Sequence, residues 1–459
     1  MPDSELRHDS SDRRGMALNS FLCVAAESVS AAAEVMLLPS LILAFFVAEL
    51  TPSYATIGLV PAIAIGFWTL GRLPAHLLAQ SRRRQQPWAF ASAAVRAAAI
   101  GVLAVVTSRT DPAGLSQSAR PLILTVFLCL IAFSLAGGFG SLASGALLQS
   151  SIASENWGSF VRRRAGWSAL LSFLAAVVVA RLLGNSALGF PGNYGRLFLA
   201  ATACLVSVAV ITTAMREPWA TAAALSVPNP PPRAWRQLLR DTRYLRFLLF
   251  RMLLSSTAAI DPFLFLYAIT RLGAPFTKIG DYVILGVLGW IVSAPVWFWV
   301  ERRSGARVLL QTAAVVRLVA SAIALAMPPL AAIGVVRERL PDVTALTTAY
   351  GATFFVVGAA LAAQSRGNYD YLATLAPHPV LPAYTGLTNA ILVIVAFSPV
   401  LGGIVIERFG YEALFGIAAA VGLAAVFAGG WLAETPSRAR ERQDAGQVAT
   451  NKALLSGPV

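Results

Sequence analysis

The chain has 459 residues, of which 57% are hydrophobic and only 13% are charged, and apolar runs recur along its whole length. This composition excludes a soluble protein and indicates a helical membrane protein that crosses the bilayer many times. The formal net charge of +14 does not indicate nucleic-acid binding, because the arginines cluster in the gaps between apolar runs, as topology determinants do.

Apolar runs long enough to cross a hydrocarbon core of about 30 Å recur through the chain. Twelve spans are predicted, at about 18–49, 56–79, 88–107, 121–148, 160–183, 195–215, 245–270, 279–300, 307–330, 344–366, 385–406 and 411–433. The connection between the sixth and seventh spans, residues 216–244, is the longest. It contains a proline run and a basic amphipathic stretch, which either lies on the membrane surface or is a solvated loop. The predicted regions are a tail at 1–17, a six-helix bundle at 18–215, a linker at 216–244, a second six-helix bundle at 245–433 and a tail at 434–459.

The distribution of arginines predicts the orientation of the spans. Arginine clusters precede the first span and follow the second, fourth, eighth and twelfth, and further arginines surround the central linker. The opposite loops hold scattered cations. By the positive-inside rule both termini lie in the cytoplasm, and the predicted location is the cytoplasmic (inner) membrane.

The two halves of the chain share a sequence repeat. Trp68 recurs as Trp290, and Arg96 recurs as Arg317 at almost the same offset. Several pairs at nearly one offset favour two six-span halves in the same orientation over coincidence in an apolar sequence.

Two predicted cytoplasmic loops are rich in arginine and have a glycine nearby. The loop after the eighth span, Glu301-Arg302-Arg303-Ser304-Gly305-Ala306-Arg307, has an acid followed by arginines around a glycine. The loop after the second span follows Gly71 and contains Arg82, Arg83 and Arg84, but it lacks the acid. With these loops and the repeat, the sequence resembles the major facilitator superfamily of transporters over essentially its whole length.

This resemblance implies an all-α membrane fold with twelve transmembrane helices in two pseudo-symmetric six-helix bundles. It also implies a central cavity near mid-membrane and alternating access by rocking of the two halves. The glycine–proline motif that the family associates with antiport is absent from the fifth span, so the resemblance does not imply an exporter.

Three acidic residues lie within predicted spans. Glu27 and Glu34 of the first span are seven residues apart, close to two helical turns, so their carboxylates face nearly the same way, roughly 10 Å apart. A carboxylate at membrane depth costs at least ~2.5 kcal/mol unless it is protonated, paired or hydrated. Both glutamates, and Asp261 of the seventh span, are candidates for proton coupling or for the substrate cavity. The alternatives are an ion pair with an arginine for Glu34, hydration for Glu27, and bonding to backbone groups freed at Pro262 for Asp261.

The remaining embedded polar residues are predicted to have gating or structural roles. Arg96 and Arg317 occupy corresponding spans, where a lone guanidinium needs a carboxylate or carbonyl partner, and their matching positions favour such a role over substrate binding. Four more residues of this class lie towards the cytoplasmic ends of the fourth and tenth spans: Gln149, Gln364, Asn368 and Asp370.

The sequence has no phosphate-binding loop, and its three histidines are far apart, so an enzyme, a metal site or a cofactor is not predicted. The predicted function is secondary active transport of a small organic solute, coupled to protons, by a monomer in the lipid bilayer. Two alternatives are a non-transporting assembly factor or sensor of the same fold, and proton-independent facilitated diffusion. Ion pairs that seal both glutamates of the first span, with no cavity, would favour the assembly factor or sensor.

Overall fold

The computed structural model describes residues 3–79, 85–152, 156–185, 187–215, 238–332, 343–376 and 381–433. These ranges are helical almost throughout, and no strand occurs in them. The helices, numbered in chain order, are α1 (Asp3–Met36), α2 (Ala44–Ala48), α3 (Tyr54–Ala79), α4 (Gln86–Arg109), α5 (Leu115–Ser151), α6 (Trp157–Leu183), α7 (Gly192–Ala214), α8 (Thr242–Ser256), α9 (Asp261–Thr270), α10 (Ile279–Ala332), α11 (Val343–Tyr350), α12 (Ala352–Leu375), α13 (Leu381–Val395) and α14 (Ser398–Gly430).

Ten helical segments among the described residues are long and apolar enough to cross a membrane. Two of them, Phe276–Met327 with 52 residues and Tyr384–Gly430 with 47, are far longer than one crossing requires. Gly305 in α10 has φ 84° and ψ 170°, and Gly410 in α14 has φ 86° and ψ 176°. Glycine adopts these angles readily, and they cannot continue an α-helix, so α10 and α14 each consist of two helices joined at a glycine.

The first and seventh predicted spans are each interrupted near the middle. α1 ends at Met36, Leu38 has an extended ψ of 111°, and a π-helical turn begins at Pro39. Proline has no N–H to donate to the preceding turn, so a kink is expected from the sequence at Pro39, and the structure has one there. In the seventh span, α8 ends at Ser256, and a 3₁₀ turn precedes α9, whose second residue is Pro262. The separation of Pro39 from Pro262 is close to the offset of the sequence repeat.

Contacts between Cα atoms divide the described residues into two compact units. The first unit is formed from Met1–Pro228, Ala259–Val287 and Asn389–Leu414, and the second from Asn229–Ala258, Leu288–Thr388 and Phe415–Val459. Within the first unit, α1 packs on α6 and α7, α3 packs on α5, and α4 packs on α5 and α7.

Glycines permit the close packing of α3 on α5. Gly71 lies against the backbone carbonyl of Leu135, and Gly138 lies against the backbone carbonyl of Trp68. A Cβ at either glycine would collide with the backbone of the other helix. Gly71, which was assigned from the sequence to the loop motif, therefore lies inside a helix and sets an interhelical distance.

In the second unit, the first part of α10 lies beside α12. Gly289 lies against the backbone of Phe355, and the indole N–H of Trp297 donates a hydrogen bond of 2.9 Å to the carbonyl of Ala359. This contact places the polar residues that follow Ala359 in α12 beside the end of the first part of α10.

Several predicted span boundaries differ from the observed ends of the helices. α12 continues to Leu375, beyond the predicted end at 366, so Asn368 and Asp370 lie within a helix. α1 begins at Asp3, so the chain is helical through most of the predicted tail at 1–17. The tail at 434–459 lies outside the described residues, as does the linker at 216–244 up to residue 237. The arrangement in two pseudo-symmetric six-helix bundles stays a prediction.

Candidate functional site

Glu34 and Arg96 form an ion pair in the first unit. Nη2 of Arg96, in α4, donates to Oε1 of Glu34, in α1, at 3.2 Å. The guanidinium carbon of Arg96 lies 4.5 Å from the ring centroid of Phe133 and 5.5 Å from that of Trp68. The arginine is thus held by a carboxylate and by two aromatic rings, which attract a cation through their negative faces.

The two partners of this pair differ in accessibility. The side chain of Arg96 is 9% exposed, whereas that of Glu34 is 52% exposed. The carboxylate therefore keeps accessible surface while its partner is enclosed.

Glu27 forms a second ion pair on the same helix. Its Oε2 lies 3.5 Å from Nη2 of Arg164, in α6, and the side chain of Glu27 is 32% exposed. Next to it, the hydroxyls of Ser28 and Ser168 are 3.3 Å apart. From the sequence, Arg164 was interpreted as one of the loop arginines that fix topology, and this pair was not foreseen. Because α6 begins at Trp157 instead of near residue 160, Arg164 is two turns into the helix.

Arg317 makes the corresponding contact in the second unit, but with neutral groups. Its Nε donates to the hydroxyl of Thr257 at 3.1 Å, and its Nη2 donates to the backbone carbonyl of Thr257 at 2.9 Å. Arg317 is 1% exposed. Thr257 was not identified from the sequence, although its separation from Glu34 is close to the repeat offset, so that the two occupy nearly equivalent positions.

Asp261 lies at the interruption of the seventh span. It is the first residue of α9 and is partly buried. A carboxylate at this position is stabilised by the partial positive charge of the helix N-terminus. This geometry fits the alternative in which Asp261 binds backbone groups near Pro262, and its role in coupling stays a prediction.

The predicted loop acid Glu301 pairs with Arg366 in the second unit. Glu301, which is almost fully buried, accepts a hydrogen bond from Nε of Arg366, and that Nε also lies 3.9 Å from Oδ2 of Asp370. The guanidinium of Arg366 lies 4.9 Å from the ring centroid of Phe298, and that of Arg302 lies 5.4 Å from the same ring. Two of the predicted gating or loop acids, Glu301 and Asp370, are thereby brought to one arginine.

The other predicted loop and gating residues are located as follows. Gly305 is the glycine at which α10 turns, and Nη2 of Arg307 donates to the carbonyl of Gly430 at 3.1 Å. Gln364 is partly buried in α12. The structure does not describe Arg82, Arg83, Arg84 or the side chain of Gln149.

A cluster in the first unit joins the start of α3 to the second half of the chain. Oε1 of Glu407, in α14, accepts from the hydroxyl of Ser53 and from the backbone N–H of Ala55, both at 3.1 Å. The hydroxyls of Tyr54 and Tyr411 are 3.3 Å apart. Glu407 thus caps the N-terminus of α3, where a negative charge is stabilising.

Three solved structures that match this chain over most of its length are of transporters. A point mutant of the nucleoside transporter NupG matches with a TM-score of 0.65 and 14% sequence identity, over 90% of this chain and 99% of that chain. The chain has the fold of the major facilitator superfamily. A D-xylose-proton symporter matches with a TM-score of 0.62 and 13% identity, over 92% of this chain and 97% of that chain. A bacterial metal transporter matches with a TM-score of 0.56 and 15% identity, over 91% of this chain and 97% of that chain. No protein-family model and no curated protein matches the sequence.

The major facilitator fold confirms the resemblance that the loop motif and the repeat indicated. The structures with this fold that match the chain are of transporters. Within the described ranges, no three histidine, cysteine, aspartate or glutamate residues are grouped so that they could hold a metal ion.

Proposed function

We propose that this chain is a secondary transporter that moves a small organic solute across the cytoplasmic membrane by alternating access, with a proton carried by Glu34. The observation that carries this proposal is the ion pair of Glu34 with Arg96, in which the carboxylate is half exposed and the arginine enclosed. The major facilitator fold of the chain supports the transport class.

The exposed side of Glu34 is more consistent with water than with lipid. Its partner Arg96 is enclosed between Phe133 and Trp68, so Glu34 faces the interior of the first unit on at least one side. A charged carboxylate facing the acyl chains would cost at least ~2.5 kcal/mol, and a water-filled cavity avoids that cost. Glu27, two turns away on the same helix, extends the polar path along this face.

Protonation of Glu34 gives a physical means of coupling. An ionised Glu34 attracts the guanidinium of Arg96 as an ion pair, whereas a neutral carboxyl can accept a hydrogen bond from it but carries no opposite charge. Proton binding therefore removes the charge–charge attraction and weakens the contact between α1 and α4. α1 ends two residues after Glu34, at the interruption before Pro39, where a change in helix position needs the least loss of backbone hydrogen bonding.

The exposure of the two glutamates also weighs against an assembly factor or sensor. Such a protein has no need of accessible titratable groups, and sealed ion pairs would have favoured it. Glu34 and Glu27 are both paired, but their side chains remain 52% and 32% exposed. The pairs are therefore open to solvent or solute.

The remaining features of the proposal follow from the helices and the arginines. If the two helices of α10 and the two of α14 each count as separate spans, the ten apolar segments give twelve crossings. An even number of crossings places both termini on one side, and the arginine clusters favour the cytoplasm. We propose a monomer whose partners are the solute, protons and the surrounding lipid.

The test combines ligand discovery with transport. Purified full-length protein is screened by thermal shift against metabolites, since a ligand that binds the native state raises its unfolding temperature. A stabilising metabolite is then measured in proteoliposomes under an imposed proton gradient. We expect Glu34→Gln to abolish accumulation and to leave solute exchange intact, because glutamine keeps a hydrogen bond to Arg96 but cannot titrate.

The matched control is Asp281→Asn, which removes an acid away from the proposed site. The side chain of Asp281 is 54% exposed and pairs with Lys278 at a distance of 3.0 Å. Normal accumulation by Glu34→Gln would show that coupling lies elsewhere. If uptake by the native protein does not depend on the proton gradient, facilitated diffusion is favoured. If no metabolite stabilises the protein and none is taken up, the assembly factor or sensor is favoured. If Glu34→Gln and Glu34→Asp both fail to fold, the carboxylate is structural.

A further inference from the structure

We propose that the second unit contains a binding site for the oxyanion of an acidic solute, formed by Arg251 of α8 and Asn368 of α12. The inference rests on the proposed transport function and gives it a substrate class, namely solutes that carry a carboxylate or a phosphate. Arg251 was not identified from the sequence, and Asn368 was predicted to have a gating or structural role.

Arg251 lies on the interior face of α8. Tyr244 and Phe247, seven and four residues before it, are buried, and so is Leu254, three residues after it. Residues at these spacings share one face of a helix. Leu245 and Leu249, on the opposite face, are exposed, as expected for residues that face lipid.

Arg251 is at membrane depth and is partly exposed. It follows the predicted start of the seventh span at 245 by six residues, or about 9 Å of helix, so it lies inside a hydrocarbon core of about 30 Å. Among the residues that the structure describes, Arg251 has no hydrogen-bond or ion-pair partner. A guanidinium at this depth without a counter-charge is costly, so it indicates water or an anionic ligand.

Asn368 is level with Arg251. Phe250 and Gln311 both contact Gly429, which puts the residue before Arg251 at the height of Gln311 in α10. Leu310, the neighbour of Gln311, packs on Gly367, the neighbour of Asn368. The contacts therefore run from α8 through Gly429 of α14 to α10 and on to α12, and they align Arg251 with Asn368.

A direct contact supports the same alignment. The ring of Phe247, one turn before Arg251, stacks on that of Tyr371, one turn after Asn368, with centroids 5.2 Å apart and an interplanar angle of 26°. The second part of α10, after Gly305, runs in the same direction as α8, as the levels of Phe250 with Gln311 and of Thr257 with Arg317 show. This part of α10 runs opposite to α12, so one turn forward in α8 corresponds to one turn back in α12.

Asn368 has unused hydrogen-bonding capacity. It is 9% exposed, and neither its Oδ1 nor its Nδ2 has a hydrogen-bond partner among the described residues. A buried amide without partners costs about 1–3 kcal/mol, so its retention in the interior favours a ligand that supplies them. The amide NH₂ can donate to an oxyanion beside the five N–H donors of an arginine.

The charges around this pair also favour an anion. The acids Glu301 and Asp370 of the second unit are already engaged by Arg366. Arg251 is therefore left to bind an acidic group brought by the solute, and the planar fork of its guanidinium fits a carboxylate or a phosphate in a bidentate manner.

The experiment measures stabilisation of purified full-length protein by named probes. Succinate represents carboxylates and glycerol 3-phosphate represents phosphates, with succinamide and glycerol as the matched neutral compounds. We expect one anion to raise the unfolding temperature in a saturable way, the matched neutral compound to have no effect, and Arg251→Gln to weaken the apparent affinity by about 10-fold or more. The two anions separate a carboxylate site from a phosphate site.

Two further variants define the site. Arg246→Gln, an exposed arginine of the same helix, is the control and should bind as the native protein does. Asn368→Asp should abolish anion binding, because the new carboxylate occupies Arg251 and repels the ligand. If Arg251→Gln does not fold, Asn368→Asp provides the same test, since it supplies the counter-charge in place of the anion.

The proposal is overturned if neither anion stabilises the native protein, or if Arg251→Gln and Asn368→Asp bind the anion with native affinity. A neutral solute that is transported equally well by Arg251→Gln would refute the anion site and leave the transport function standing. Conversely, Arg251-dependent anion binding without uptake in proteoliposomes would support the site and refute transport.

Discussion

Arg96 and Arg317, which correspond in the sequence repeat, contact nearly equivalent positions of two interrupted helices. Arg96 reaches the carboxylate of Glu34, three residues before the interrupted region that begins at Leu37, and Arg317 reaches Thr257, at the start of the corresponding 3₁₀ turn. One half thus balances its arginine with a titratable group and the other with a hydroxyl and a carbonyl. Of these two arginine contacts, the one to Glu34 includes an acidic side chain, in keeping with the proposed role of Glu34.

The Thr257 hydroxyl is expected to stabilise the fold without taking part in coupling. Thr257→Val removes the acceptor for Nε of Arg317, which is buried, and leaves the backbone carbonyl as acceptor for Nη2. We expect a loss of stability of about 1–3 kcal/mol, seen as a lower unfolding temperature in detergent. Thr257→Ser should restore stability. Thr312→Val is the control, because the Thr312 hydroxyl is exposed and donates within its own helix. Equal stability of Thr257→Val and Thr312→Val would contradict this role.

Gly71 is expected to be intolerant of a side chain. Gly71→Ala drives a Cβ into the carbonyl of Leu135 and must separate α3 from α5, at a cost of about 1–3 kcal/mol. Gly66→Ala in the same helix is the matched control, because its Cβ would lie 3.7 Å from the ring of Phe397, an ordinary contact. Alanine favours a helix over glycine by about 1 kcal/mol, so Gly66→Ala should be neutral or stabilising. Thermal unfolding of both variants checks this, and a reversed order would mean that α3 and α5 can move apart easily.

The carboxylate of Glu407 is expected to hold the start of α3 against α14. Glu407→Ala leaves the hydroxyl of Ser53 and the N–H of Ala55 without this acceptor, at a cost of about 0.5–2 kcal/mol, as for a lost helix cap. If the proposed orientation is right, this contact lies on the outer side, and its loss should increase the population of a state open to the outside.

Spin labels at Pro52 and Arg408, in a variant without Cys23, Cys129 and Cys204, report this opening by electron–electron distance measurement. We expect a longer distance to become more populated in Glu407→Ala. Glu412→Gln, a change of a nearby exposed acid, should leave the distribution unchanged. An unchanged distribution in Glu407→Ala would mean that the aromatic contacts of Tyr54 suffice to keep α3 and α14 together.

The orientation is tested by reporter fusions. Fusions in 82–86, in 216–235 and after 436 should report the cytoplasm, because arginines cluster there. Fusions in 110–118 and 337–342 should report the opposite side. A single inverted pair would invalidate the assignment of both termini to the cytoplasm.

Much of the fold could be predicted because it depends on local rules. The length of the apolar runs indicated the spans, since a bilayer of fixed thickness selects helices of about 20 residues. The kink at Pro39 followed from the missing N–H of proline. The Arg96–Arg317 repeat, with the loop motif around Gly305, indicated the major facilitator fold that the solved structures confirm.

The sequence alone also determined which residues must have partners, but not which partners they have. Glu34 and Arg96 were each singled out as costly at membrane depth, yet they are 62 residues apart, and their contact depends on how α1 and α4 pack. Arg164 was assigned to an arginine cluster that fixes topology, because the sequence does not show that it faces Glu27 across α1 and α6. Arg251 was overlooked because it lies near the start of the predicted seventh span, close to the arginines of the linker. Only the tertiary structure decided these pairings, since side chains distant in sequence meet where helix crossing and rotation bring them together.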